Sequence, residues 1–265
     1  MITDLSTREL EVPNNIITVQ HLKNYFGDTC VHEDVNFSVN SGEIIAIIGG
    51  SGCGKTTLLR SILRLMMPTA GSVSVFGTQV LTANAQDFLA VQKRWGMMFQ
   101  GGALFSSLTV LENVMYVLNE YSSLSYRSQK AVAKLKILMS GLDLNAANKY
   151  PSELSGGMRK RAALARAIAL DPELIFLDEP TAGLDPKSAG DLDDLILSMR
   201  KNLGLTFVMV THDLDTLWYV PDRVIFLGEG KVLADEPMAR LHKNTHPMIQ
   251  SYFSGHRAKE VHHAE

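Results

Sequence analysis

Only two cysteines, Cys30 and Cys53, occur in 265 residues. They are too few for a disulfide framework or a cysteine-ligated zinc site, which suits a reducing compartment. Long apolar runs are missing too: no stretch approaches the roughly 18 consecutive apolar residues that a membrane-crossing helix requires. Met1 to Pro13 mixes charged with apolar side chains and lacks the apolar core of a secretory signal. Charge of one sign is not in excess, since 25 Lys and Arg stand against 28 Asp and Glu for a net charge of −3. No global basic field therefore marks the chain as a nucleic-acid binder, and nucleic acid is not an expected partner. A soluble, cytoplasmic chain is expected, long enough for one large domain or one domain with a subdomain.

What is present centres on Gly49-Gly50-Ser51-Gly52-Cys53-Gly54-Lys55-Thr56-Thr57, which matches G-x-x-x-x-G-K-[ST], the phosphate-binding P-loop. The unbroken apolar run Ile44 to Ile48 before it predicts a parallel strand buried on both faces. After it, Leu58, Leu59, Ile62 and Leu65 recur at helical spacing and predict a helix from Lys55 to Leu65. Glycines let the loop curl so that backbone N–H groups converge on anionic oxygens, aided by the positive end of the helix. Lys55 then reaches the outer phosphates and the Thr56 hydroxyl is placed to ligate Mg²⁺. A Gly-rich turn that binds nothing is the competing reading; the flanking strand and helix argue against it.

Strands are expected at Ile16–Leu22, Val35–Val39 and Ser72–Phe76. No helical pattern separates the first two from the P-loop strand, and the three are expected to form an antiparallel sheet beside the nucleotide site. From Ala103 to about Leu170 the pattern is helical. Thr109-Val110-Leu111-Glu112 has capping-box form and opens a helix to about Leu118. A second helix, Arg127 to Ser140, is expected to turn Val132, Leu135, Leu138 and Met139 inward and to end at Gly141. This region reads as a helical subdomain inserted in an α/β core. Buried-strand runs resume at Leu174–Leu177 and Thr206–Val210, each ending in polar residues where open α/β sheets bind ligands. Arg223–Leu227 and Lys231–Ala234 make a hairpin. Residues 16–237 thus form the main domain and 238–265 a tail, helical at first. Beyond Gly255 the tail is expected to fray; adjacent His262-His263 lack further ligands at metal-site spacing.

Asp178-Glu179 closes an apolar strand. In a P-loop protein such an Asp holds Mg²⁺, and the adjacent Glu179 polarises an attacking water as general base. Leu154-Ser155-Gly156-Gly157-Met158 opens an Ala-rich helix through Leu170. Alone it is a helix N-cap signal; with its hydroxyl and bare amides it also makes a second phosphate-facing surface.

The P-loop, Leu154–Gly157, Asp178-Glu179, Ala182-Gly183-Leu184-Asp185 and Thr211-His212-Asp213 stand in the order seen in ABC-transporter ATPases. The resemblance covers nearly the whole chain and implies an α/β P-loop NTPase core of ABC-ATPase type, with an antiparallel β subdomain and an inserted helical subdomain. It implies Mg²⁺-dependent ATP hydrolysis by a head-to-tail dimer, in which Ser155, Gly156 and Gly157 of one copy close the nucleotide held by the P-loop of the other. It further implies that Gln100 senses Mg²⁺ and the permease, that Asp185 lies at the dimer seam, and that His212 contacts the γ-phosphate. Phe26, 29 positions before Lys55, matches the aromatic that stacks on adenine; Tyr25 is the neighbouring candidate, and a core position for one of the two is the competing reading.

Phe99 to Phe105 and Leu108 to Val114 resemble, more narrowly, the ATPases paired with Mce-protein lipid transporters such as the Mla phospholipid system, as does Met158-Arg159-Lys160-Arg161. Read without the resemblance, Arg159-Lys160-Arg161 is a solvated basic helix face. The implied partners are a membrane permease, an Mce-domain protein and a small cytoplasmic accessory subunit, at the cytoplasmic face of the bacterial inner membrane. Leu104 and Phe105 look exposed and apolar, as a permease contact would be. A polar amino-acid importer and a soluble ABC ATPase serving an assembly scaffold are the alternatives. No sustained heptads support a coiled-coil chromosome ATPase, and one P-loop argues against a two-cassette translation factor.

Overall fold

A computed structural model describes residues 15–261; the expectations for Met1 to Pro13 and for His262-His263 lie outside the described residues. In chain order the elements are β1 (Asn15–Phe26), β2 (Thr29–Asn40), β3 (Ile44–Gly49), α1 (Lys55–Ile62), β4 (Ala70–Val75), β5 (Thr78–Gln79), α2 (Ala85–Gln92), β6 (Trp95–Met98), α3 (Val110–Tyr121), α4 (Tyr126–Met139), α5 (Gly156–Ala167), β7 (Leu174–Asp178), α6 (Pro186–Leu203), β8 (Thr206–Val210), α7 (Leu214–Tyr219), β9 (Arg223–Gly228), β10 (Lys231–Glu236), α8 (Met238–Leu241) and α9 (Pro247–Val261).

The strands run in the order β5-β4-β1-β2-β10-β9-β3-β8-β7-β6. β9, β3, β8, β7 and β6 are mutually parallel, whereas β1, β2, β4 and β5 pair antiparallel. The two halves join where β10, antiparallel to β9, meets β2 at the single parallel pair Lys231↔Asp34. Glu33 and Asp34 N–H groups both donate to the Gly230 carbonyl there, and Lys231 pairs with Glu33 at 3.0 Å.

β3 is buried throughout because both faces are covered. Ile45 and Ile47 join a core with α1 and the antiparallel strands. Ile44, Ala46 and Ile48 join another with α5, α6, α7 and α9, including Leu192, Leu217 and Ile249. Each buried Ile or Leu among them contributes about 1.5–3 kcal/mol. A third core packs Val110, Val114 and Leu118 of α3 and Ala133 and Ile137 of α4 on Ala162 and Ala165 of α5. The capping box at Thr109 and Glu112 forms as the sequence predicts.

Four local expectations are corrected. The helix after the P-loop stops at Ile62, because Arg64 takes φ 54° and turns the chain; Leu65 is consequently exposed. α4 presents Gln129, Ala133, Lys136 and Ile137 inward, while Leu135 and Leu138 are 53% and 50% exposed. Lys136 is drawn into that inner face by its ion pair with Asp171. α5 ends at Ala167 rather than Leu170. The last helix continues past Gly255 to Val261, with Ile249 and Phe253 docked in the core.

Candidate active site

β3 delivers the chain to the P-loop at the carboxyl end of the parallel strands. Gly49, Gly52 and Gly54 adopt φ 151°, 79° and 93°, values that L side chains rarely hold. Space is limiting as well: a Cβ at Gly54 would collide with the His32 ring and Val31, and one at Gly49 with the Leu227 carbonyl. Lys55 Nζ donates to the Gly49 and Gly50 carbonyls at 2.8 and 3.1 Å. Cys53 Sγ also lies 3.8 Å from the ammonium, and among the described residues no carboxylate pairs with it. Gly50, Ser51, Gly52 and Thr56 are exposed; Cys53 and Thr57 are half-buried.

Beneath the loop lies a polar shelf that the sequence reading missed. Asn24 Nδ2 donates to His32 Nδ1 at 2.9 Å and to Ser61 Oγ at 3.2 Å, and Ser61 Oγ donates to the Thr57 carbonyl at 3.0 Å. Because Nδ1 accepts, the ring proton sits on Nε2, facing the loop. Burial lowers the His32 pKa, keeping the ring neutral. No spacing rule links Asn24, His32 and Ser61, so only the fold reveals the set.

Asp178 ends β7, half-buried; burial, then the neighbouring Glu179 charge, raise its pKa. Glu179 takes φ 50°, a region uncommon for a non-glycine residue. Its N–H donates to the Val210 carbonyl at 2.8 Å. Its Oε2 lies 2.8 Å from Nδ1 of His212, just beyond β8. Thr181 Oγ1 donates to Asp213 Oδ2 at 3.1 Å, tying the loop after β7 to the N-cap of α7.

Ser155 caps α5, accepting from Met158 N at 3.3 Å. Gly156 and Gly157 lie against Leu184 and Ser188. Asp185 caps α6 through Ser188 N–H and Oγ at 3.0 and 2.6 Å, and these bonds lower its pKa. Among the described residues no hydrogen bond joins 154–157 to 49–57. Gln100 is exposed, on a loop carried by α5. Lys160 Nζ holds the Gln100 carbonyl at 2.6 Å, and Arg166 holds those of Gly102 and Ala103 at 2.7 and 2.6 Å.

That arrangement corrects the reading of Arg159-Lys160-Arg161 as a solvated face at Lys160, while Arg159 is exposed and Arg161 half-buried. Arg159 donates to the Leu154 carbonyl and Arg161 to the Ser140 carbonyl, and Lys160 is buried. Leu104 is likewise half-buried between two cores, leaving Phe105 exposed against Tyr116 with ring centroids 4.7 Å apart. Neither Phe26 nor Tyr25 is a core residue; they are 52% and 43% exposed. Hydrogen bonding to Cys30 raises the Tyr25 pKa, which places that ring beside its cross-strand partner. A cleft of about 430 Å³ lined by Leu108, Met115, Tyr116, Tyr126 and Gln129 contains none of the P-loop, Asp178 or Glu179 residues.

The sequence profile of the family described as ABC transporter matches residues 32–182. The chain belongs to the ABC transporter family. Curated relatives of this ABC cassette include the intermembrane phospholipid transport system ATP-binding protein MlaF of Haemophilus influenzae. It is 37% identical over 241 residues, which cover 91% of each chain. The Escherichia coli K12 protein of the same name is also 37% identical over 91% of this chain and 89% of its own. The probable ribonucleotide transport ATP-binding protein mkl of Mycobacterium tuberculosis H37Rv is 33% identical over 91% of this chain and 67% of its own. Among solved structures, the dimeric post-hydrolysis state of the cassette MJ0796 bound to ADP and Pi is similar with TM-score 0.76 and 30% identity, over 84% of this chain and 98% of that one. Clostridium perfringens cbiO1 gives TM-score 0.78 at 25% identity, over 94% and 99%. The cassette is therefore an ATPase of ABC type, with the P-loop core, antiparallel β subdomain and inserted helices that its motifs predict.

Proposed function

We propose that this cassette hydrolyses Mg²⁺-bound ATP as a head-to-tail homodimer and powers phospholipid transport beneath a membrane permease, at the cytoplasmic face of a bacterial inner membrane. The observation that carries the enzymatic part is the Glu179–His212 pair at the carboxyl ends of β7 and β8, the latter paired with the P-loop strand. The cargo reading rests on the MlaF relatives, which align along nearly their full length. The ribonucleotide wording of the mkl relative favours a second cargo, but at lower identity and over two thirds of that chain. No helix among the described residues is long and apolar enough to cross a membrane; the proposed permease is a separate chain. An Mce-domain protein and a small accessory subunit complete the proposed assembly. Residues 16–237 are its ATPase domain, with a helical subdomain over about 103–170 and a tail over 238–265.

The donor set fits Mg²⁺. A hydroxyl (Thr56), a carboxylate (Asp178) and an amide (Gln100) are hard oxygen ligands, and Mg²⁺ in phosphate sites takes few protein ligands besides the phosphates. Bound there, the ion neutralises phosphate charge. The chain supplies the rest. Loop amides of Gly49 to Thr57 and the Lys55 ammonium bind the phosphates. Glu179 orients a water for in-line attack and takes up its proton. His212 holds the Glu179 carboxylate and faces the γ-phosphate. Ser155, Gly156 and Gly157 of the partner copy close the site, with Asp185 at the seam. Phe26 stacks on adenine, whereas Tyr25 stands opposite Cys30 on β2.

The test is twofold. ATP turnover by the purified chain is measured with Mg²⁺ and with a chelator, and the chain is isolated from cells in mild detergent. Mg²⁺-dependent turnover and co-isolation with a permease and an Mce-domain protein are expected. A permease with a soluble substrate-binding protein instead would overturn the lipid reading and leave the ATPase reading standing.

A further inference from the structure

Lys160 lies in the second turn of α5 and is 7% exposed, a degree of burial that lysines almost never reach unless paired. Its Nζ donates to two main-chain carbonyls from different loops, Glu179 at 2.7 Å and Gln100 at 2.6 Å. Burial lowers its pKa, while the Glu179 and Asp178 carboxylates oppose that shift. An apolar side chain of the same length would fill the space without desolvating a charge, so packing alone does not explain an ammonium here.

Glu179 gives a reason. Its left-handed backbone persists only where surroundings over-determine it. Four contacts do so: its N–H on Val210, its carboxylate on His212, and its carbonyl on both Lys160 and, at 3.3 Å, the Ala182 N–H of the following turn. The first two partners belong to β8 and the loop beyond it. Lys160 alone comes from α5, the helix whose N-terminus carries Ser155, Gly156 and Gly157.

We propose that Lys160 is a positioning residue for Glu179: by holding the Glu179 carbonyl, it sets the direction of the carboxylate and ties it to the helix that closes the partner's nucleotide. The inference rests on the reading of Glu179 as the general base. If that direction is lost, ATP still binds, because the P-loop, Asp178 and Phe26 are untouched, but the water is no longer aligned.

Lys160→Met, Lys160→Arg and Glu179→Gln are compared with the native full-length chain by steady-state hydrolysis, thermal unfolding and size-exclusion with ATP. Lys160→Met is expected to lower kcat on the order of a hundredfold, the scale of an ångström-size misplacement, with KM for ATP unchanged. It should also accumulate the ATP-bound dimer, as Glu179→Gln does. Lys160→Arg restores much of kcat, because a guanidinium still donates to both carbonyls. Native kcat in folded Lys160→Met, or loss of ATP binding in it, overturns the positioning role. If the Met variant does not fold, Lys160→Gln replaces it, too short to reach both carbonyls; unchanged kcat there overturns the proposal equally. Native turnover by Glu179→Gln would instead remove the general-base reading, whatever Lys160 does.

Discussion

Glu179 Oε2 and His212 Nδ1 meet at 2.8 Å across the ends of β7 and β8, the carboxylate largely buried and the imidazole 61% exposed. A carboxylate oxygen accepts here, so Nδ1 carries the proton in this contact. Glu179→Gln keeps the shape of this contact and removes the base. It is expected to bind ATP normally, to hydrolyse it about 10²–10⁴-fold more slowly, and to accumulate an ATP-bound dimer. His212→Ala, which leaves the base but frees its carboxylate, should slow turnover less. Single-turnover hydrolysis with size-exclusion chromatography checks both, and near-native turnover by Glu179→Gln would count against the assignment.

Phe26 and Tyr25 are adjacent exposed rings at the end of β1, and Tyr25 stands opposite Cys30 on β2. Base–aromatic stacking is worth about 1–3 kcal/mol, so Phe26→Ala should weaken ATP binding roughly fivefold to a hundredfold while Phe26→Trp retains it. Tyr25→Ala should leave affinity unchanged. Titration with a fluorescent ATP analogue distinguishes the rings: the reverse pattern would show that Tyr25 stacks.

Asp193 is buried in α6, accepts from Thr216 Oγ1 at 2.8 Å through Oδ2, and among the described residues finds no partner for Oδ1. Burial pushes its pKa up to about 6, aided by the charges of Asp213, Asp194 and Asp215. A carboxyl whose folded pKa lies above its unfolded one binds more protons when native. Stability is therefore lost as pH rises from about 4 to about 6 and is flat above that. Asp193→Asn keeps an acceptor for Thr216 and removes the titration. It should stabilise the chain by up to about 2–3 kcal/mol at pH 7.5, with the gain shrinking toward zero near pH 4. Urea unfolding at several pH values reads this directly; a pH-independent difference would exclude the mechanism.

Sequence legibility followed the type of signal. β3, β7 and β8 were legible because a strand buried on both faces is a run of Ile, Leu, Phe and Val. The P-loop and the Thr109 capping box were legible because each device requires particular residues at fixed spacing. β6 was not: Trp95-Gly96-Met97-Met98 has neither alternation nor β-branching, and Gly96 is there because any Cβ would strike the Ala167 carbonyl of α5. α6 left a readable signal that was passed over, Asp185 at the N-cap, Pro186 at the first helical position and Gly204 at φ 67° after its end. α4 misled because Lys136 takes an inner position that a periodicity count gives to leucine. The Asn24–His32–Ser61 shelf and the carbonyl clamps of Lys160 and Arg166 join residues distant in sequence. No local pattern encodes them.

The last prediction concerns whether each site is shared between two chains. Lys55 and Ser155 each stand at a helix N-terminus beside glycines, but Ser155 and its glycines contact α5, Leu184 and Ser188 of their own chain. Lys55→Ala and Ser155→Arg should each abolish turnover, the first by losing the phosphate contact, the second by blocking closure. Ser155→Arg also removes an N-cap worth about 1 kcal/mol, so its thermal unfolding is compared first. The two variants are then mixed and allowed to exchange subunits. In a heterodimer both lesions fall in one site, and the other site combines an intact P-loop with an intact Leu154–Gly157 loop. Random pairing makes half the dimers mixed, so up to roughly a quarter of sites should recover. Coupling between the two sites would reduce the observed rate below that ceiling without abolishing it. A site built within one chain permits no rescue, because every copy carries a lesion. Zero recovery, with exchange demonstrated and both variants folded, would refute the shared site.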